Sequence, residues 1–462
     1  MREPAPSPRI AHEPALDGLR GLALLFMLAY HGELGVVPGA YFTLSAFFAL
    51  SGYLITALLL AEHHGTGRID LRAFWGRRFR RLMPGALVGL TAVLVFAATV
   101  ASGNQLAKLR GDVLAGLGYV ANWHFISDGR TYADVFAAPS PVQHFWSLAV
   151  EEQFYLVFPL LAVGLLALVG RRRRPGPLQG RERALLAGLL GGLAIASAVW
   201  MAVVHTPGSE RAYYGTDARA GEFLVGAFLA VVLAGRAPLR HRGAVVVAEV
   251  AGGLALLGTI VLWVTVPISE PAIYRGGFLL AAVLAAVVIV AVRQHGPVHR
   301  VLSLRLLGVV GVVSYSAYVL HWPVFLWLTP ARTGLDPWPC PACGWPSPRA
   351  RRPGATTCWS KPICCVAALL AGARWWRRLR WPRTLAVAAI VVTLAPPPPE
   401  PGSPPRPSCR AAGRPVDAGA GAGRRRGRRR HLGGGGPARP ERAPVRKLVV
   451  GDLSPTTWQW LA

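Results

Sequence analysis

Residues 16–31 read LDGLRGLALLFMLAYH, an apolar segment that carries Arg20 and, eleven positions later, His31. Written as α-helix, eleven residues turn through about 1100°, within about 20° of three whole turns, so the two side chains share a face roughly 16 Å apart along the axis. An ionisable residue inside a membrane span is costly and rarely kept without a use. Two on one stripe, one near each end, mark a polar path through a bilayer. The plainer reading is a snorkelling arginine plus a histidine bonded to a neighbouring helix.

The texture continues outward from this segment. The chain has 462 residues, 53% of them hydrophobic. Apolar blocks near the spanning length of ~20 residues fall at about 16–36, 40–61, 83–102, 146–169, 184–204, 218–235, 244–264, 276–292 and 306–328. These predict an all-α polytopic membrane protein of about ten transmembrane helices plus one linking helix. The formal charge of +28 does not make it a nucleic-acid binder, because the arginines lie mostly in short runs between apolar blocks, as in cytoplasmic loops. Lysine occurs only at 108, 361 and 447, a bias typical of a GC-rich bacterial genome. The first span lacks a basic leader with a small-residue cleavage site and runs into a second span, so no cleavable signal peptide is expected.

Basic connections at 68–81, 171–183, 236–242 and 293–305 set the topology. With a cytoplasmic N-terminus (tail 1–15) in a bacterial inner membrane, all four fall inside, provided that 106–125 does not span. That segment holds Lys108, Arg110, Asp112 and Asn122 and reads as re-entrant or interfacial. Arg20 then lies near the cytoplasmic end, with His31, Glu151, Glu152 and His321 at similar height in the outer third. Three spans distant in sequence thus bring two imidazoles and two carboxylates to one layer.

Several stretches carry a resemblance: Arg20-x10-His31, FFALSGYLI at 47–55, FWGRRFRRLMP at 74–84, FWSLAVEEQFYLVFP at 145–159, YYGTDARAGEFLVGAFLA at 213–230 and SYSAYVLHWP at 314–323. In this order they resemble the bacterial membrane acyltransferase-3 family, which O-acetylates cell-surface glycans and some secreted metabolites. The resemblance covers residues 16–330 and implies acyl transfer from cytoplasmic acyl-CoA, a co-substrate with no permanently bound cofactor, to a hydroxyl outside. It makes Arg20 and His31 essential and matches the family's basic RRxxR element to Arg77, Arg78, Arg80 and Arg81. It matches the family's SLxxExxFY element to Ser147, Glu151 and Tyr155, which puts Ser147 and Tyr155 with the substrate; His321, before Trp322 and Pro323, reads either as a substrate-binding residue that bonds the acceptor or as the anchor of an interfacial kink.

The residues suit that chemistry. A thioester meeting an alcohol needs a general base and oxyanion stabilisation. His31 is the base candidate, since imidazole titrates near pH 6.5. Glu151 or Glu152 is positioned to fix its tautomer, as the Asp does in a Ser–His–Asp triad; they point about 100° apart, so one of the two faces the site. Guanidinium groups bind phosphates in bidentate fashion, which fits Arg77, Arg78, Arg80 and Arg81 to the CoA nucleotide, with Arg20 along the pantetheine arm. Ser51 and Gly52 read as close-packing residues, Asp217 and Arg219 as an outer loop pair, and Trp146 and Trp322 as members of an aromatic belt. A proton-coupled transporter or flippase is the alternative reading, although no inverted repeat is visible.

After Pro337 the texture breaks. Cys340, Cys343, Cys358, Cys364 and Cys365 follow a cysteine-free stretch, without the histidines or spacing of a zinc knuckle, so no metal is expected. A shifted reading frame accounts for 331–396, with a last helix at about 384–396, and it makes an inactive copy a further alternative. Residues 397–444 are a Pro/Gly/Arg-rich disordered linker. The stretch LVVGDLS at 448–454 resembles the start of an SGNH-type domain (445–462), with Leu453 intervening before Ser454.

Overall fold

A computed structural model describes residues 12–32, 36–100, 103–129, 140–171, 174–207 and 209–327, and every regular element among them is helical. In chain order these are α1 (Pro14–His31), α2 (Thr43–Thr66), α3 (Leu71–Thr99), α4 (Gly103–Leu117), α5 (Ala121–Ser127), α6 (Phe145–Leu168), α7 (Gly180–Val204), α8 (Arg211–Tyr214), α9 (Thr216–Leu233), α10 (Arg242–Thr265), α11 (Gly277–Val292), α12 (Pro297–Leu302), α13 (Arg305–Val312) and α14 (Ser314–Trp327). Among the described residues five helices are long and apolar enough to cross a membrane, namely α2, α3, α6, α7 and α10; α13 with α14, bent by 71°, is either a broken sixth span or a re-entrant pair. Helix α11 is apolar but has 16 residues, while α1 and α9 have 18 and carry charges. The expected count of ten is therefore not reached here. The cysteine-rich stretch, the helix at 384–396, the linker and the SGNH-like end all lie outside the described residues.

Three boundaries differ from the sequence reading, each for a local reason. Helix α1 stops at His31, where Gly32 takes the cap, so His31 ends the helix instead of sitting inside it. The arginines 77–81 are not in a loop. Asp70 caps α3 by accepting from the Ala73 N–H at 2.9 Å, and nothing interrupts the helix from there, so Arg77–Arg81 are helical. The block at 306–328 is two helices bent by 71° at Val313, with His321 on the second.

Loop contacts sort the connections onto two faces. On the face of the N-terminus, His299 Nε2 meets Glu13 Oε1 at 2.9 Å, Gly176 N–H donates to His64 O at 2.8 Å, and Arg293 donates to Arg236 O at 2.6 Å. On the opposite face Gly39 N–H donates to Trp263 O at 2.9 Å, Asn122 to Tyr214 O at 3.0 Å, and Trp322 Nε1 to Ser140 O at 2.9 Å. The segment from α4 to residue 144 starts and returns on this second face. It is broken at Gly118–Tyr119, where Tyr119 takes a φ of 53°, and neither α4 nor α5 is a candidate span. The four basic connections consequently share one face.

Helices approach each other through glycine. Gly52 lies against the Phe223 carbonyl and Gly226 against the Ala49 carbonyl, so a Cβ on either would overlap backbone across the α2–α9 contact. Just before this contact α9 carries a buried ion pair. Arg219 is wholly enclosed; its Nε lies 2.5 Å from Glu222 Oε1, and Phe278, Tyr213, Phe48 and Trp146 surround the guanidinium at 4.1–5.7 Å. This corrects the loop pair expected of Asp217 and Arg219: Asp217 pairs instead with Arg211 at 2.6 Å, because Arg219, two residues on and about 200° round the helix, points inward. Trp146 and Trp322 are each only 3% exposed, one packed on Tyr213 and Tyr214 and the other bonded to Ser140. They are core residues and do not form an outward-facing belt.

Two stability measurements check this packing. Gly226→Val should destabilise the protein by about 1–3 kcal/mol through overpacking, seen as a lower melting temperature in detergent. Gly253→Ala, with nothing near its Cβ position, should not. Arg219→Met should cost about 3–5 kcal/mol by leaving Glu222 buried and unpaired, and Glu222→Met added to it should restore much of that loss.

Candidate active site

The site is built on α1, α6 and α14, with α2 and α3 closing one side. His31, at the end of α1, has Nδ1 3.1 Å from Nε2 of His321 and 2.9 Å from Met27 Sδ. The two rings are stacked with their planes inclined by 27° and their centroids 5.0 Å apart. His321 Nδ1 is 2.5 Å from the Tyr318 carbonyl oxygen. A carbonyl only accepts, so Nδ1 of His321 carries the proton and its Nε2 carries a lone pair. Nδ1 of His31 must then donate to it. In the neutral His31 ring the remaining lone pair sits on Nε2, the state a general base requires.

Helix α6 presents one polar stripe: His144, Ser147, Glu151 and Tyr155, spaced i, i+3, i+7, i+11. His144 Nε2–H donates to Val319 O at 2.8 Å. The Ser147 and Tyr318 hydroxyls bond each other, and Tyr318 also donates to His144 O at 3.0 Å. Glu151 Oε1 accepts from Ser51 Oγ at 2.5 Å and from the Tyr155 hydroxyl. Arg78 lies over the Tyr155 ring at 4.6 Å, and Arg20, Arg78 and Glu151 all act electrostatically on Arg81. The eleven-residue step from His144 to Tyr155 equals that from Arg20 to His31, and the two helices run in opposite directions. The structure therefore holds two antiparallel polar stripes with imidazoles at one end; at the other, Arg20 ends the α1 stripe and Arg78 of α3 lies over the Tyr155 that ends the α6 stripe.

The sequence-predicted residues fall into place unequally. His31 and His321 are together, and Arg20, Arg78 and Arg81 are together. Glu151 is the carboxylate that faces the stripe; Glu152 points elsewhere. Neither carboxylate bonds His31; His321 Nε2 and Met27 Sδ both meet its Nδ1. Arg77 is taken up by Glu62 at 3.7 Å, whereas Arg20, Arg78, Arg80 and Arg81 have no hydrogen bond or ion pair among the described residues. Ser147 and Tyr155 bond within the protein. Gly52 packs as expected, but Ser51 is a hydrogen-bond donor to Glu151. Sequence reasoning passed over His144 and Tyr318. The helical spacing of His144 to Ser147 and Glu151 was the signal that could have found the first; Tyr318 has no comparable signal.

The chain matches the family described as acyltransferase domain over residues 13–395. It is 36% identical over 322 residues to the peptidoglycan O-acetyltransferase OatA of Listeria monocytogenes, covering 69% of this chain and 50% of that protein. It is also 36% identical over 326 residues to the putative peptidoglycan O-acetyltransferase YrhL of Bacillus subtilis, covering 69% and 49%. With the O-acetyltransferase OatA of Staphylococcus aureus it shares 35% over 329 residues, 70% and 52% of the two chains. The chain thus spans about half the length of the curated relatives it matches, and no solved structure matches it. By the extent of the family match and the order of its motifs, this chain belongs to the acyltransferase-3 family.

Proposed function

We propose that the chain is a membrane O-acyltransferase that takes an acyl group from acyl-CoA at the N-terminal, cytoplasmic face and delivers it to a hydroxyl of a cell-wall glycan at the other. The observation that carries this reading is the pair of antiparallel stripes, with uncommitted guanidinium groups at one end and a proton-ordered imidazole at the other. The concentration of basic connections on the N-terminal face supports the orientation. The relatives named as peptidoglycan O-acetyltransferases support the acetyl group and the acceptor.

In this mechanism Arg20, Arg78, Arg80 and Arg81 hold the CoA phosphates, a task for which charge-assisted, bidentate bonds are suited. Arg77 is spent on Glu62 and contributes less. The thioester arm lies along the stripes toward His31. As the acceptor oxygen attacks the thioester carbon, its proton passes to His31 Nε2, the carbon–sulfur bond breaks, and the imidazolium returns the proton to the departing thiolate. His321 holds the ring in register while the charge is present. Glu151, with Ser51 and Tyr155, balances the arginine charge at the entrance.

Purified protein in proteoliposomes, given radiolabelled acetyl-CoA and a glycan acceptor, provides the test. Label should appear covalently on the acceptor, and His31→Ala should lower kcat by about 10²–10⁴-fold. Undiminished transfer by a folded His31→Ala variant contradicts the base assignment, and movement of substrate without covalent product supports transport instead. Arg78→Ala should raise the KM for acetyl-CoA about tenfold or more, the worth of one charge-assisted bond, while Arg77→Ala should change it much less.

A further inference from the structure

Both α6 and α14 contain a proline, Pro159 and Pro323. Each removes the N–H that would bond the carbonyl four residues earlier, that of Tyr155 in α6 and of Val319 in α14. In a span that carbonyl has no water to turn to, so another group must meet it. In both helices a ring N–H from a different segment does. Trp75 Nε1–H, on α3, donates to Tyr155 O at 3.1 Å, and His144 Nε2–H, at the start of α6, donates to Val319 O at 2.8 Å. The first carbonyl belongs to a stripe residue beside Arg78. The second lies two residues before His321.

We infer that His144 is a positioning residue that latches the proline bend of α14 and thereby sets the angle at which His321 meets His31. His144 is 4% exposed, and its ring stands edge-on to that of His321 at 5.4 Å. Its Nε2 proton is committed to Val319, and its buried Nδ1 meets no hydrogen-bond partner among the described residues. A second proton there would have no acceptor, so the ring stays neutral and puts no charge beside the His31–His321 pair. Tyr318 reinforces the latch from the other side: its carbonyl takes the His321 proton while its hydroxyl donates to His144 O at 3.0 Å. One turn of α14 is thereby tied to the start of α6 at two points, His144 to Val319 and Tyr318 to His144, beside His321.

This rests on the acyltransferase reading, and the test separates the two. In the proteoliposome assay His144→Phe, which keeps a ring but no donor, should lower kcat by about 10–100-fold, the cost of a misplaced base, with the KM for acetyl-CoA unchanged. His144→Gln, whose amide supplies an N–H, should recover most of that loss. Melting temperature should follow the same order, lowered in the Phe variant and restored in the Gln variant. Equal loss of kcat in both, or full activity in the Phe variant, overturns the latch. If the wild-type protein transfers no label the proposed function fails, and the latch is then judged by the melting temperatures, where equal values for the Phe and Gln variants overturn it.

Discussion

A backbone carbonyl accepts hydrogen bonds and never donates them, and the carbonyl of Tyr318 thereby fixes the protons of two imidazoles in succession. His321 must give it Nδ1–H at 2.5 Å; its Nε2 is then an acceptor, and His31 Nδ1 at 3.1 Å must fill it. The outcome is a histidine with its lone pair on Nε2, at the very end of α1. In the proposed mechanism the task usually given to a carboxylate in such sites falls to a second histidine. Histidine in that role places no negative charge in the membrane, where an unpaired one is expensive.

The rest of the architecture serves to bring α14 to that position. Helix α13 lies so close to α1 that Gly311 has no room for a side chain against the Asp17 carbonyl. The chain then bends by 71° and α14 turns across α3 and α6. Glycine at the crossings and proline at the bends are both weak helix formers, and both are tolerated because neighbouring segments supply what they remove. At the other end of the stripes, the arginine charge is divided. Arg77 answers Glu62, and Arg78 rests on an aromatic face, which leaves its donors for a ligand.

Much of this was legible in the sequence. Arg20 and His31 share a face because eleven residues nearly close three helical turns, and that arithmetic survives in the fold. The convergence of His31 with His321 followed from the directions of spans alone. What could not be read was which partner each group would choose. Glu151 takes Ser51 and Tyr155 instead of His31 because α2 packs against α6 through side chains whose register the sequence does not show. Arg219 looked like a loop residue because it sits three positions after Thr216, the first residue of α9. Only the aromatic residues Phe48, Trp146, Tyr213 and Phe278, from four separate segments, reveal it as core. The arginine-rich stretch passed for a loop because charge outweighed the Asp70 cap and the absence of any proline before Pro84.

The most direct measurement is ¹⁵N NMR of the histidine side chains in protein reconstituted in lipid, with His31 and His321 assigned by substitution. The neutral rings should both be protonated at Nδ1, with unprotonated Nε2 on His31, and His321→Ala should abolish the His31 preference. A His31 ring protonated at Nε2 with a bare Nδ1, unchanged by the loss of His321, would contradict the proton order on which the proposed chemistry stands.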